Sequence, residues 1–252
     1  MSQALALLDG LRNVDDPRRR RMIALGVLTR ALAPHGIEPV LVGGGALEFY
    51  TAGGYATSDV DLALPSGPEV DAAFAEMGFS KEGRYWVRDD LDLLFEAPAP
   101  AGLPGENASR TEVEVDGLRV VVIGIEDLLL DRLRAWVHWQ SGEDERWARR
   151  LALLHADRID WQYLRDRTKH LPEEVDAVAQ LAEEGRQVID YDDFQAEVRR
   201  RKRDRWAKIL ASEPPGRRPG RRPRDPEKER LLARLDRARL ERENPELLRR
   251  RP

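Results

Sequence analysis

An α+β fold, with a mixed sheet, flanking helices and a helical C-terminal region, is predicted by three observations in this sequence. Short apolar runs of strand length, several with period-two alternation, recur between Val40 and Ile123. From Ile125 onward the apolar spacing changes to that of helices, with Leu129, Leu133 and Trp136 at i, i+4 and i+7. Charge then divides the chain: residues 196–252 hold 21 Lys and Arg against 10 Asp and Glu, a net +11, whereas residues 1–195 hold 21 against 36, a net −15. These changes set the expected domains: a core over residues 1–124, a helical subdomain over 125–190, and a basic helical tail with a Pro/Gly/Arg linker over 191–252.

Taken in order, residues 1–33 read as one or two helices with apolar faces at Leu5, Leu7, Leu8, Leu11 and at Met22, Ile23, Leu25, Leu28, Leu32, stopped by Pro34. Arg18 to Arg21, between those faces, read as a solvated helix start. Pro39 to Leu64 is the stretch around which the rest is organised. Val40 to Val42 form a short apolar run that stops at Gly43, Gly44 and Gly45, and an amphipathic segment with Ala46, Leu47, Phe49 and Tyr50 follows at once. That order is strand, tight turn, helix, and it leaves main-chain amides and the positive end of a helix dipole free to face a phosphate. Ser58 to Leu64 then alternates as a half-buried strand, so Asp59 and Asp61 project to one side. Two carboxylates held so close repel unless a cation lies between them, and oxygen ligands at that spacing suit Mg²⁺.

Gly67-Pro68 opens a further helix closed by Gly78, and residues 79–87 and 91–95 read as a hairpin around Arg88-Asp89-Asp90. On its second strand Asp92, Leu94 and Glu96 fall on one face, so either acid is in reach of the Asp pair. Asp89 and Asp90 read as exposed turn residues. Pro98 to Arg110 is a loop, and residues 111–115 and 118–123 form a hairpin through Asp116-Gly117. Helices are expected over 147–154, 160–168 and 172–184, with Trp136, Trp139, Trp147 and Trp161 packing them. In the tail, helices are expected over 194–210, with the basic run Arg199 to Arg203, and over 227–243.

Composition removes several classes. The chain has no cysteine, which excludes disulfides, thiolate metal sites and cysteine nucleophiles and fits a reducing, cytoplasmic setting. No apolar run approaches membrane-spanning length and the N-terminus lacks a signal-peptide pattern, so a soluble protein without a membrane partner is expected. The four histidines have no paired ligand spacing. Glu48 occupies the place of the third glycine of a dinucleotide fingerprint and no Gly-Lys-Ser/Thr follows, which removes the Rossmann and P-loop readings.

A glycine turn opening a helix, followed by an Asp-x-Asp strand, resembles the signature of the polymerase-β-like nucleotidyltransferase superfamily. The likeness runs from Pro39 to Arg167 with decreasing sharpness and is nearest to small, toxin-type members related to abortive-infection toxins. It implies a nucleotidyltransferase-fold sheet and transfer of a nucleoside monophosphate from a nucleoside triphosphate (NTP), ATP being one such donor, to a hydroxyl acceptor. By the same likeness, Gly43, Gly44, Gly45 and Ser58 hold phosphates, and Asp59, Asp61 and a third carboxylate hold two Mg²⁺ or Mn²⁺ ions. Relatives place that third acid late in its strand, favouring Glu96 over Asp92. Arg132 matches a helix-borne cation that meets the phosphates, where relatives commonly have lysine, and Asp144 and Arg146 resemble a later acidic and basic pair. The implied acceptors are RNA, tRNA in particular, or a protein side chain, with an antibiotic as the weaker option; the basic tail suits RNA, and a cognate antitoxin is the implied partner. The alternative is a catalytically inert protein of the same fold that binds nucleic acid or a partner.

Overall fold

The computed structural model describes residues 3–97, 109–186 and 225–243. The chain divides into two compact units, Met1–Leu128 with Arg224–Pro252, and Leu129–Pro223. Within the stretch 191–252, expected as a basic tail, the described residues 225–243 group with the first unit. The expected helix 194–210, its arginine run and the loop 98–108 lie outside the described residues.

The first unit is built on one seven-stranded mixed sheet of order β3-β4-β5-β2-β1-β7-β6. Its strands are β1 (Val40–Leu41), β2 (Val60–Ala63), β3 (Ser80–Glu82), β4 (Tyr85–Arg88), β5 (Leu93–Glu96), β6 (Arg110–Val115) and β7 (Leu118–Ile123). β1 runs antiparallel to β2 and parallel to β7, while β2 runs parallel to β5 with Asp61 opposite Glu96. The expected β6–β7 hairpin forms, with Asp116 and Gly117 both at positive φ, 52° and 75°. Those angles match the right-handed twist of the flanking strands.

One hairpin of the sequence reading is corrected. Residues 79–87 do not run as one strand, because Gly83 adopts φ 62° and turns the chain, so β3 and β4 form their own antiparallel pair. The next connection is a short 3₁₀ turn, Asp89–Leu91, after which Asp92 sits in the left-handed region at φ 53°.

Helices α1 (Gln3–Asp9), α2 (Pro17–Leu32), α3 (Gly43–Tyr50) and α4 (Pro68–Glu76) accompany the sheet. Asp16 caps α2 by accepting from the Arg18 amide at 2.9 Å. Leu25, Leu28 and Leu32 of α2 are fully buried, as are Val120, Val121 and Val122 of β7. Phe74 of α4 stacks on Trp86 at 4.4 Å between centroids and meets Phe95 edge-on, which fixes α4 against β4 and β5. Arg18 and Arg19 of α2 are exposed, as a solvated start requires, Arg19 pairing with Asp116 at the surface, whereas Arg20 donates to the carbonyls of Val14 and Leu91 and Arg21 forms a buried pair with Glu48 of α3 at 2.6 Å.

α5 (Ile125–Trp139) leads from the first unit into the second, where α6 (Gly142–Leu154), α7 (Trp161–Thr168) and α8 (Pro172–Arg186) follow. Leu133, Trp147, Leu151, Leu164, Val178 and Leu181 are buried there. Trp139, expected to pack, is 58% exposed instead. Glu174 is buried and accepts from Arg134 at 3.1 Å and shares a hydrogen bond with His138 at 2.7 Å. A last helix, α9 (Pro226–Glu243), belongs to the first unit. Among the described residues no helix is long and apolar enough to cross a membrane.

Candidate metal centre

Three carboxylates, Asp59, Asp61 and Glu96, offer ligand oxygens that all lie within 4.8 Å of one another. The sheet places them. Asp61 and Glu96 stand opposite each other on the parallel strands β2 and β5, so their side chains share a face, and Asp59, in the bend just before β2, brings its carboxylate to the same place. Asp59 and Glu96 are buried, at 5% and 3% exposure. Thr57 holds Asp59 in place by donating its hydroxyl to Oδ1.

The glycine turn meets the acids directly. The Gly44 amide donates to Asp61 Oδ2 at 3.2 Å. Gly43 adopts φ 57° and lies so near Asp61 that any Cβ there would collide with its carboxylate, so the turn demands glycine on both counts. Gly45 faces inward, where a Cβ would meet Leu41 Cδ1 at 2.7 Å. Val42 supplies no side-chain cap to α3.

The other expected site residues are placed as follows. Glu96, on the site face, completes the acidic cluster. Asp92 does not join it, because its left-handed backbone precedes the first residue of β5 and the alternation that would align it with Glu96 begins only at Leu93; its carboxylate faces Arg20 at 3.4 Å. Ser58 is exposed. Arg132 lies in the second unit, where it donates to Asp144 at 2.9 Å and pairs with Asp131, so Arg132 and the expected acidic partner meet each other.

Two cations at the acids were not foreseen. Lys228, in the first turn of α9, places Nζ against Asp59 Oδ2, 2.7 Å from Glu96 Oε2 and 3.4 Å from Asp61 Oδ1. Arg84, in the turn just before β4, reaches Glu96 Oε1 at 3.0 Å. Their signal in the sequence is faint: a lysine in a first helical turn opposes the helix dipole, which makes Lys228 locally out of place. Burial, followed by the charge of Asp59, pushes the Asp61 carboxyl up to about 6 despite the opposing pull of Lys228. Burial pulls the Lys228 ammonium down, but Asp61 and Asp59 outweigh it and hold it well above the ordinary lysine range. Three carboxylates around one ammonium keep a surplus of buried negative charge.

No protein-family model matches this chain, and no curated protein matches it. Among solved structures it is similar to an antigenic nucleotidyltransferase-like protein from Paracoccidioides brasiliensis, at 17% identity and TM-score 0.42 over 68% of this chain and 93% of that one. It is also similar to the antibiotic-resistance factor ANT(2'')-Ia, at 12% identity and TM-score 0.31 over 73% of this chain and 91% of that one. Superposition this loose assigns no activity.

Proposed function

We propose that this protein is a metal-dependent nucleotidyltransferase, passing a nucleoside monophosphate from a nucleoside triphosphate to a hydroxyl acceptor. The observation that carries the reading is the convergence of Asp59, Asp61 and Glu96 beside the glycine turn of α3. The donor set is all oxygen and fits Mg²⁺ or Mn²⁺. Among the described residues, Asp59 Oδ2 and Glu96 Oε2 are buried without a well-directed hydrogen bond, each lying instead against the Lys228 ammonium.

In this reading Asp59, Asp61 and Glu96 hold the ions, which when bound activate the acceptor hydroxyl and stabilise the pyrophosphate leaving group. Thr57 orients Asp59. The amides of Gly43, Gly44 and Gly45, with the Ser58 hydroxyl, bind the β and γ phosphates, which requires the Gly44 amide to exchange its Asp61 partner for a phosphate oxygen. RNA, tRNA in particular, is the proposed acceptor and a protein side chain the other option; the net +11 of residues 196–252 supports an anionic partner. A toxin role with a cognate antitoxin follows the resemblance to toxin-type members. The catalytically inert alternative calls for an incomplete acid set, and the presence of all three carboxylates on one face favours the enzyme.

Transfer from labelled nucleoside triphosphates to total tRNA and to protein tests the proposal. Label should appear only with Mg²⁺ or Mn²⁺ and fall to background in the Asp59→Asn/Asp61→Asn variant. Undiminished label in that variant would overturn the assignment.

A further inference from the structure

Helix α9 is held against the acid cluster by more than one lysine. Leu231 and Leu235, one turn apart, are each 4% exposed and pack with Tyr85, Val87 and Leu94 of the sheet. Asp225, which caps α9 through the amides of Glu227 at 2.9 Å and Lys228 at 3.3 Å, also accepts from the Tyr85 hydroxyl at 2.6 Å. Arg234, on the next turns, donates to Glu82 and to Asp89. The fit is close: a Cβ on Gly83 would lie 2.7 Å from Glu227 Oε1.

This docking brings the first turn of α9 to Asp59, Asp61 and Glu96 and sets the Lys228 ammonium among them. A lysine three residues after the cap is unfavourable for the helix itself, and the acids account for its presence there. The ammonium touches the same carboxylate oxygens that would ligate a divalent cation, so both cannot be accommodated.

We propose that α9 is a tethered competitor, in which Lys228 takes the cation's place in the acid cluster so that metal and nucleotide bind only when the helix withdraws. This rests on the metal-dependent reading above. Among the described side chains the apolar anchors of the docked helix are Leu231 and Leu235, with Leu232 beside them, and its rim is polar, Asp225 with Tyr85 and Arg234 with Glu82. By reciprocity, whatever draws α9 away strengthens metal binding, and metal binding loosens α9.

Mn²⁺ titration of the full chain, followed by electron paramagnetic resonance, tests this in the wild type, Lys228→Ala, Leu231→Glu/Leu235→Glu and, as the control for the site, Asp61→Asn. A helix docked about 90% of the time lowers apparent affinity about tenfold, so both α9 variants should bind Mn²⁺ about tenfold tighter than wild type. Hydrogen exchange of the amides over residues 226–243 in the wild type should quicken on adding Mn²⁺. Equal Mn²⁺ affinity in wild type and Lys228→Ala, with binding lost in Asp61→Asn, would overturn the competitor and leave the enzyme reading standing. Weaker binding in Lys228→Ala would also overturn it, making Lys228 a support of the site. Absence of Mn²⁺ binding in Lys228→Ala would overturn both.

Discussion

Two regions of the first unit bury charge next to the same helix, and they do so differently. On α3, Glu48 meets Arg21 one to one at 2.6 Å, with each side chain 11% exposed. Beside the glycine turn that opens α3, Asp59, Asp61 and Glu96 share the single ammonium of Lys228 and, at Glu96 alone, the half-exposed Arg84. A matched pair offsets its own desolvation and joins two helices. A surplus of buried carboxylate does neither, and is kept in a fold when a ligand is meant to balance it. The burial-driven rise of Asp61 to about 6 expresses that surplus.

The largest break in this comparison should come from Asp59→Asn/Asp61→Asn. Transfer should fall by about a thousandfold or more, as when an ion-binding set is dismantled, whereas the melting temperature should hold or rise because repulsion is relieved. A clear loss of stability would make the acids structural. The converse variant is Glu48→Ala, which strands Arg21 and should cost about 3 kcal/mol in denaturant unfolding, with Mn²⁺ affinity of the folded protein unchanged. A drop below about 1 kcal/mol would mean that Arg21 finds water easily and that the pair is not an anchor.

The acid cluster can then be sharpened residue by residue. Glu96→Gln should lower transfer by about tenfold to a hundredfold, and Asp92→Asn by less than about twofold, because a side chain 3.4 Å from Arg20 is only a weak ion pair. The reverse ranking would return the third-acid role to Asp92. The smallest effect is expected at Thr57→Val, which removes the donor that orients Asp59 and should cost about threefold to tenfold in transfer; an unchanged rate would show that the sheet alone fixes Asp59.

The difference between the two regions also explains what the sequence made legible. Asp59, Asp61 and the glycine turn lie within one short stretch of chain, and Glu96 is aligned with Asp61 by a neighbouring strand of the same sheet. The β6–β7 hairpin was readable because Asp-Gly demands one turn type. Asp92 falls off the face of Glu96 because strand alternation begins only one residue after it and its own φ is positive. The break at Gly83 escaped because an apolar run on both sides resembled one strand. Lys228 lies 167 residues from Asp61 and reaches it only through tertiary packing, which no local pattern encodes. Read alone, Pro226 to Glu243 is a charged, solvated helix; only the packing of Leu231 and Leu235 shows that it has a place on the sheet.

The claim that Asp59, Asp61 and Glu96 form a divalent-cation site is tested most directly by anomalous diffraction at the manganese edge, from crystals of the full chain grown with Mn²⁺ and a non-hydrolysable nucleoside triphosphate. The account predicts a peak coordinated by all three carboxylates, with Lys228 displaced from them. Crystals saturated with Mn²⁺ that show the peak elsewhere, with Lys228 still between the acids, would contradict it.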